Sequence, residues 1–283
     1  RYHSGLYYDG IIDDARIFER ALTQAEITHL ATARGVLGTP PVGIGGEELW
    51  LCPSINDSAN DISGSGNDGT YTGGMGTIAD TSSGGTRAYD FDGTNDYIRS
   101  PKANFAFLVE TNSFSQSAWV RSDSAVGQRA YIGGELRQNR KGTAFLQNSS
   151  SYLWGLRAKG AAPYSPNTLS SSAVPLSQWF HATWVVDNTT STLYIDGLQI
   201  YQQAGTFATA VGGLSEDVTV GCYLDLGSPY AFLDGLMDDI RIFERAITQA
   251  EITHLATARG VLGGPGSDGY NAFTSAIYNP RNY

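Results

Sequence analysis

"QWFHATWVVDNTTSTLYIDGLQI", residues 178–200, decides the fold. Two runs rich in β-branched and aromatic residues flank the polar break "VDNTTST", a pattern that predicts two antiparallel strands joined by a hairpin turn. Outward from this stretch the same pattern recurs in "ELWLC", "RAYDFDG", "DYIRS", "FSQSAWVRS", "RAYIGGEL", "TAFLQN", "YLWGLRAK", "DVTVGCYL" and "LDGLMDDIRIF", with Gly, Asn, Asp and Ser between the segments. About eleven strands of this kind predict an all-β chain folded as a two-sheet antiparallel sandwich. One helix is predicted, after the last strand. Thr248 stands three residues before Glu251 as a capping box, Ile252 and Leu255 supply an apolar stripe, and Gly260 ends it.

The chain nearly repeats its own ending. "DGLMDDIRIFERAITQAEITHLATARGVLG" (Asp234 to Gly263) differs at four of thirty positions from Asp9 to Gly38, 225 residues earlier. The expected organisation is therefore a closing strand and helix of an upstream module at 1–38, a Pro/Gly linker at 39–46 ("TPPVGIGG"), a complete module at 47–263, and a Tyr/Asn-rich tail at 264–283. The first copy carries an apolar face, Ile11, Ala15 and Ile17, with Asp13 among them; it is expected to seat in a module outside this body, either upstream or in a neighbouring copy of the protein.

Charge narrows the partners. Acidic residues outnumber basic ones by 28 to 18, a formal charge of -10 spread along the chain, which repels phosphate backbones and anionic lipid. No nucleic acid and no membrane insertion are expected, and no run of 18 apolar residues occurs. Cys52 and Cys222 both fall on apolar strand faces, as two buried thiols or as a disulfide. Neither has a His or basic neighbour in sequence to activate it.

"RAYDFDGTNDYIRS", "SFSQSAWVRS", "QWFHATWVVDNTTSTLYIDGLQI", "VTVGCYLD" and "FLDGLMDDIRIFERAITQAEITHL", in that order, resemble the LamG-like jellyroll of the concanavalin A-like lectin and glucanase superfamily, akin to laminin G and pentraxin domains. "ELWLCPSINDSANDISGSGNDGTYTGG" fits the first strand and loop of that family, so the resemblance runs from Glu47 to Gly263. It implies an all-β, two-sheet antiparallel jellyroll sandwich with one short C-terminal helix, whose first strand near Trp50 lies beside the closing strand near Ile240. It also implies a secreted or cell-surface, extracellular setting and raises the prospect of structural Ca²⁺.

Catalysis finds little footing. Glycoside hydrolases of the superfamily need two carboxylates about 5 to 5.5 Å apart for retaining chemistry, and no Glu-x-Asp-x-x-Glu strand occurs. Asp238 and Asp239 are adjacent, which on a regular strand sends them to opposite faces, and His29, His181 and His254 form neither a zinc spacing nor a triad. On a regular strand Asp238 shares the face of Leu236, Ile240 and Ile242, so its carboxylate requires a partner: Ca²⁺, a buried Arg such as Arg87, or turn amides. Two loops are oxygen-rich enough for calcium, "NDSANDISGSGNDG" with Asp57, Asp61 and Asp68, and "FDGTND" with Asp92, Asn95 and Asp96; Asp and Asn there serve equally well as turn formers. The candidate metal ligands are Asp61, Asp68, Asp92, Asp96 and Asp238.

For sugar binding the candidates are Arg137, Asn139, Arg140 and Trp154, in a basic island of an acidic chain, while Trp119, Trp179 and Trp184 read as core. The function expected first is a non-enzymatic module for adhesion or for a tandem extracellular assembly or fibre; a carbohydrate-binding module is the alternative.

Overall fold

The computed structural model describes residues 43–137, 139–148, 152–159, 168–205 and 209–261, with backbone alone at 159 and 168–172. All belong to the second of two compact units, which begins at Gly43. The upstream segment 1–38, linker residues 39–42 and the tail 264–283 lie outside the described residues.

The expected all-β sandwich is present, in seventeen strands rather than eleven among the described residues, because several short pieces escape a reading by pattern. The first sheet runs β13 (Leu198–Ala204), β12 (Thr190–Ile195), β11 (Phe180–Asp187), β6 (Ser113–Ser122), β17 (Asp234–Phe243), β4 (Arg87–Asp92) and β3 (Gly76–Ala79), and β1 (Glu47–Leu51) also pairs with β17. β4 takes the first half of β17 and β1 the second, with Leu51 opposite Ile240 and Trp50 opposite Arg241, as expected of the first and last strands. The second sheet runs β10 (Thr168–Ala173), β9 (Tyr152–Lys159), β8 (Lys141–Gln147), β7 (Arg129–Gly133), β14 (Val218–Val220), β5 (Tyr97–Ser100) and β2 (Thr70–Thr72). β15 (Tyr223–Asp225) and β16 (Ser228–Tyr230) form a separate hairpin.

The hairpin at 178–200 is β11 and β12, paired from Ala182 opposite Ile195 to Asp187 opposite Thr190. Its Trp184 enters the core between the sheets with Phe114, Phe145, Tyr131, Leu49, Leu51 and Ile240, each removing apolar surface worth roughly 1.5–3 kcal/mol. A second cluster, Val185, Tyr194, Phe243, Ile247, Ile252 and Leu255, fills the outer face of the first sheet beneath helix α2 (Gln249–Leu255). The capping box of Thr248 and Glu251 is formed as predicted, but the helix ends at Leu255, short of Gly260. A one-turn helix, α1 (Phe107–Glu110), was not foreseen; it buries Phe107, Leu108 and Val109.

The closing strand departs from the regular alternation. Asp239 takes a left-handed φ of 49° and the register with β6 shifts between Asp238 and Arg241, so two residues oppose one. Met237, Ile240 and Ile242 therefore face the inter-sheet core, while Asp238 does not share the face of Ile240 and Ile242, contrary to the alternation of a regular strand. Asp238 and Asp239 are both fully buried.

Candidate functional site

On the outer face of the second sheet, alternate residues of β8 and β9 (Ala144, Leu146, Leu156 and Ala158) join Ala130 and Leu136 in a small apolar cluster, against which Trp154 and Tyr223 pack. Trp154 faces outward because its neighbours Leu153 and Gly155 face inward: a Cβ on Gly155 would stand 2.4 Å from the Trp184 indole, so only glycine admits that ring. Above the cluster lies a cleft of about 210 Å³ lined by Gln128, Leu136, Arg137, Trp154, Leu156, Tyr223 and Asp225.

One wall of the cleft comes from the hairpin of β15 and β16, through Tyr223 and Asp225 of β15. Its two-residue turn, Leu226 and Gly227, has positive φ at both positions (53° and 76°), the geometry that matches the twist of a tight hairpin. One buried carboxylate holds it: Glu135 accepts from the Arg137 N–H (2.9 Å), the Leu226 N–H (3.1 Å) and the Gly227 N–H (3.0 Å). At the rim, Arg137 Nη1 donates to both carboxylate oxygens of Asp225 (3.0 and 2.8 Å). Half of the Arg137 side chain is exposed, so this ion pair contributes at most about 1 kcal/mol to folding. The Tyr223 hydroxyl donates to Gln128 Oε1 (3.1 Å), and Tyr223 and Tyr230 rings lie 5.5 Å apart. Trp154 Nε1 is buried and has no acceptor among the described residues, an arrangement that packing alone does not favour. An aromatic floor with polar rim groups is what binds the apolar face and the hydroxyls of a sugar.

Of the four glycan candidates, Arg137 and Trp154 line this cleft. Asn139, at a φ of 67°, and Arg140, whose N–H donates to the Arg137 carbonyl, belong to the adjoining turn and do not line it. Gln128, Tyr223 and Asp225 were missed; the aromatic pair around the Leu226–Gly227 turn was their one signal.

The five metal candidates form no single cluster: Asp61 and Asp68 are joined in one loop and Asp92 and Asp96 in another, where the Asp92 N–H donates to Asp96 (3.2 Å), and no group of three or more His, Cys, Asp or Glu among the described residues is placed to hold a metal ion. Asp61 accepts from the N–H groups of Trp50, Ser63 and Asn67, and Asp68 accepts from the Asp61 N–H, so both organise their loop. Asp92 accepts from the Thr94 N–H as a turn former. Asp96 is 7% exposed and its Oδ1 has no partner, and burial together with Asp92 raises its carboxyl above the ordinary value.

Asp238 finds arginine, though not Arg87, which pairs at the surface with Asp57 (2.8 Å). Its partners are Arg259 (3.4 Å), the Ser54 hydroxyl, the Cys52 thiol (3.3 Å) and the Asp239 N–H (2.7 Å). Arg259 also reaches Asp80 and lies over the Trp179 ring. Asp239 accepts from Arg241 Nε (2.8 Å) and Trp50 Nε1 (2.6 Å), and Arg241 donates further to Glu47 (3.1 Å) and the Val261 carbonyl (2.6 Å). These carboxylates are sealed and fully engaged, which suits them to structure. His181 is held neutral beside Trp119, its pKa pushed down to about 3 by burial and then by Arg241. Both cysteines are free and buried, which settles the alternative in favour of thiols.

Residues 92–253 match the Laminin G 3 family, described as the Concanavalin A-like lectin/glucanases superfamily. No curated protein matches the sequence. Among solved structures, domain 4 of AbnA, an extracellular arabinanase of Geobacillus stearothermophilus, in complex with arabinotriose, is similar at 23% identity and a TM-score of 0.58, over 74% of this chain and 98% of that one. The binding domain of Paraclostridial Mosquitocidal Protein 1 is similar at 15% identity and a TM-score of 0.57, over 75% and 52%. The binding domain of botulinum neurotoxin serotype C1 is similar at 13% identity and a TM-score of 0.58, over 75% and 51%. At these identities the likeness is one of fold.

Proposed function

The chain belongs to the Concanavalin A-like lectin/glucanases superfamily, and from that premise we propose that it is an extracellular, non-catalytic carbohydrate-binding module whose site is the cleft of Trp154 and Tyr223. The observation that carries this reading is the outward Trp154 indole beside a pinned polar rim, on a sheet face that is otherwise small and aliphatic. The fold shared with an arabinotriose-bound domain along nearly its whole length supports it; the toxin domains match over only half their length and support it less. The cleft is lined by one carboxylate, Asp225, where glycoside hydrolysis takes two, which favours binding over cleavage. The test is a glycan array that includes arabino-oligosaccharides, followed by titration of Trp154→Ala. Binding that is lost in the variant while its melting temperature holds supports the reading, and a chain that captures no glycan overturns it.

Adhesion or assembly through neighbouring copies remains a second reading, favoured by one observation. β17 is flanked by β6, β4 and β1, so a strand of its sequence closes a sheet rather than standing alone, and the chain carries that sequence twice. Deletion of residues 1–38 should leave the 47–263 fold intact; native mass measurement showing the same assembly state before and after deletion would defeat the second reading.

A further inference from the structure

The cleft's polar rim is more organised than its floor, and one buried side chain organises it. Glu135 is fully buried, yet its carboxylate bonds to the backbone of Arg137 itself and to the two residues that follow Asp225. A single carboxylate thus fixes both partners of the Arg137 and Asp225 ion pair from below, through segments 88 residues apart in sequence. Backbone pairing repeats the connection: the Leu136 N–H donates to the Leu224 carbonyl (3.0 Å) and the Leu224 N–H to the Gly134 carbonyl (2.8 Å). An exposed ion pair gains little from such anchoring in folding terms, so the anchoring bears on what the pair presents to solvent.

What it presents is a donor and an acceptor side by side. Arg137 uses Nη1 on Asp225, while its Nη2 and Nε have no acceptor among the described residues and can donate to a ligand, and each Asp225 oxygen keeps a lone pair beyond the one it offers Arg137. Two adjacent hydroxyls on one sugar ring supply the complementary pair, one oxygen accepting from the guanidinium and one O–H donating to the carboxylate. Because Asp225 neutralises Arg137, the rim carries no surplus positive charge for a carboxylated or phosphorylated sugar, and the net charge of the chain, -10, opposes one.

Resting on the carbohydrate-binding reading, we propose that the Arg137 and Asp225 pair is the specificity-determining element of the cleft, selecting a neutral sugar with two adjacent free hydroxyls, and that Glu135 is its positioning residue. The pair reads the diol while Trp154 and Tyr223 take the apolar face of the ring. Glu135 touches no ligand; it keeps donor and acceptor at the spacing of neighbouring hydroxyls.

The experiment titrates the intact chain, by ligand-observed NMR and tryptophan fluorescence, with methyl glycosides of glucose, galactose, mannose and arabinose. Each is compared with its analogue O-methylated at one of two adjacent hydroxyls, and glucuronate serves as the charged control. The wild-type chain should prefer a free diol over its O-methylated analogue by at least tenfold and bind glucuronate more weakly. Asp225→Asn and Arg137→Met should each collapse that preference to near unity, whereas Glu135→Gln, checked for an intact far-ultraviolet spectrum, should weaken binding severalfold while keeping the preference. Preference that persists in the two rim variants while Trp154→Ala still abolishes binding overturns the diol assignment and leaves the carbohydrate reading standing. Tighter binding of glucuronate than of the neutral glycosides overturns it too, and absence of binding to every glycoside removes the reading on which it rests.

Discussion

Arg241 lies 4.0 Å above the Trp50 ring, and the indole N–H of Trp50 donates to the same Asp239 oxygen that accepts from Arg241 Nε. Cation, ring and carboxylate close one triangle between the first strand of the module and its last. With Glu47 also on the guanidinium, the buried charges are paired on every side, and removing one member strands the rest.

Arg241→Ala should therefore destabilise the module by about 3–5 kcal/mol, the cost of leaving Asp239 and Glu47 buried without their cation. Urea unfolding followed by tryptophan fluorescence measures it. A loss under about 1 kcal/mol would show that water reaches the site.

Asp238 should make stability depend on pH. Burial pushes its carboxyl up to about 6, against about 3.9 in an unfolded chain, so the folded state binds the proton more tightly. The contribution is fully favourable below about 3.9 and is lost as pH rises through 6. Denaturation midpoints between pH 4 and 7 should fall with rising pH from this group, and Asp238→Asn should flatten that slope.

The thiols should be inert in the folded protein. Burial raises Cys222 to about 12 and Cys52 well above the ordinary thiol range, the latter helped by Asp238 and Asp239. Dithionitrobenzoate should titrate neither cysteine before unfolding and both after it, and reductant should leave the melting temperature unchanged.

Asp96 offers a substitution that stabilises. Burial and the neighbouring Asp92 penalise its charge, so Asp96→Asn, which removes that charge, should raise the unfolding midpoint at neutral pH. Calcium chloride is the control. A cation held there would raise the wild-type midpoint and make the same substitution harmful.

Much of the sandwich is legible in the sequence because alternation survives wherever a strand is regular: Leu49 and Leu51 enter the core while Trp50 turns away from it. The burial of Asp238 is legible too, since an acidic residue in an apolar strand demands a partner. Its facing is not, because the bulge rests on the left-handed backbone of Asp239, and Asp tolerates that conformation without announcing it. Its arginine partner is not legible for a related reason: Arg259, rather than the expected Arg87, sits 21 positions past Asp238, beyond a helix, and only the docking of that helix brings it home. The cleft is half legible. Trp154 and Arg137 stand out in a basic island, whereas Tyr223 and Asp225 arrive from a hairpin some 70 residues later through backbone bonds that no side-chain pattern encodes.

The meeting of Glu47 and the Val261 carbonyl on one guanidinium has a mechanical consequence. Chain enters the module and leaves it at nearly the same point, so tension applied along a flanking polypeptide is carried from one end to the other across Arg241. The second sheet and the cleft on its outer face hang outside that load path. A module strung in this way would keep the face of the cleft undistorted under pull until the Arg241 clasp opened, and it would then fail by peeling β1 from β17 at their Glu47 and Phe243 end, one residue pair at a time.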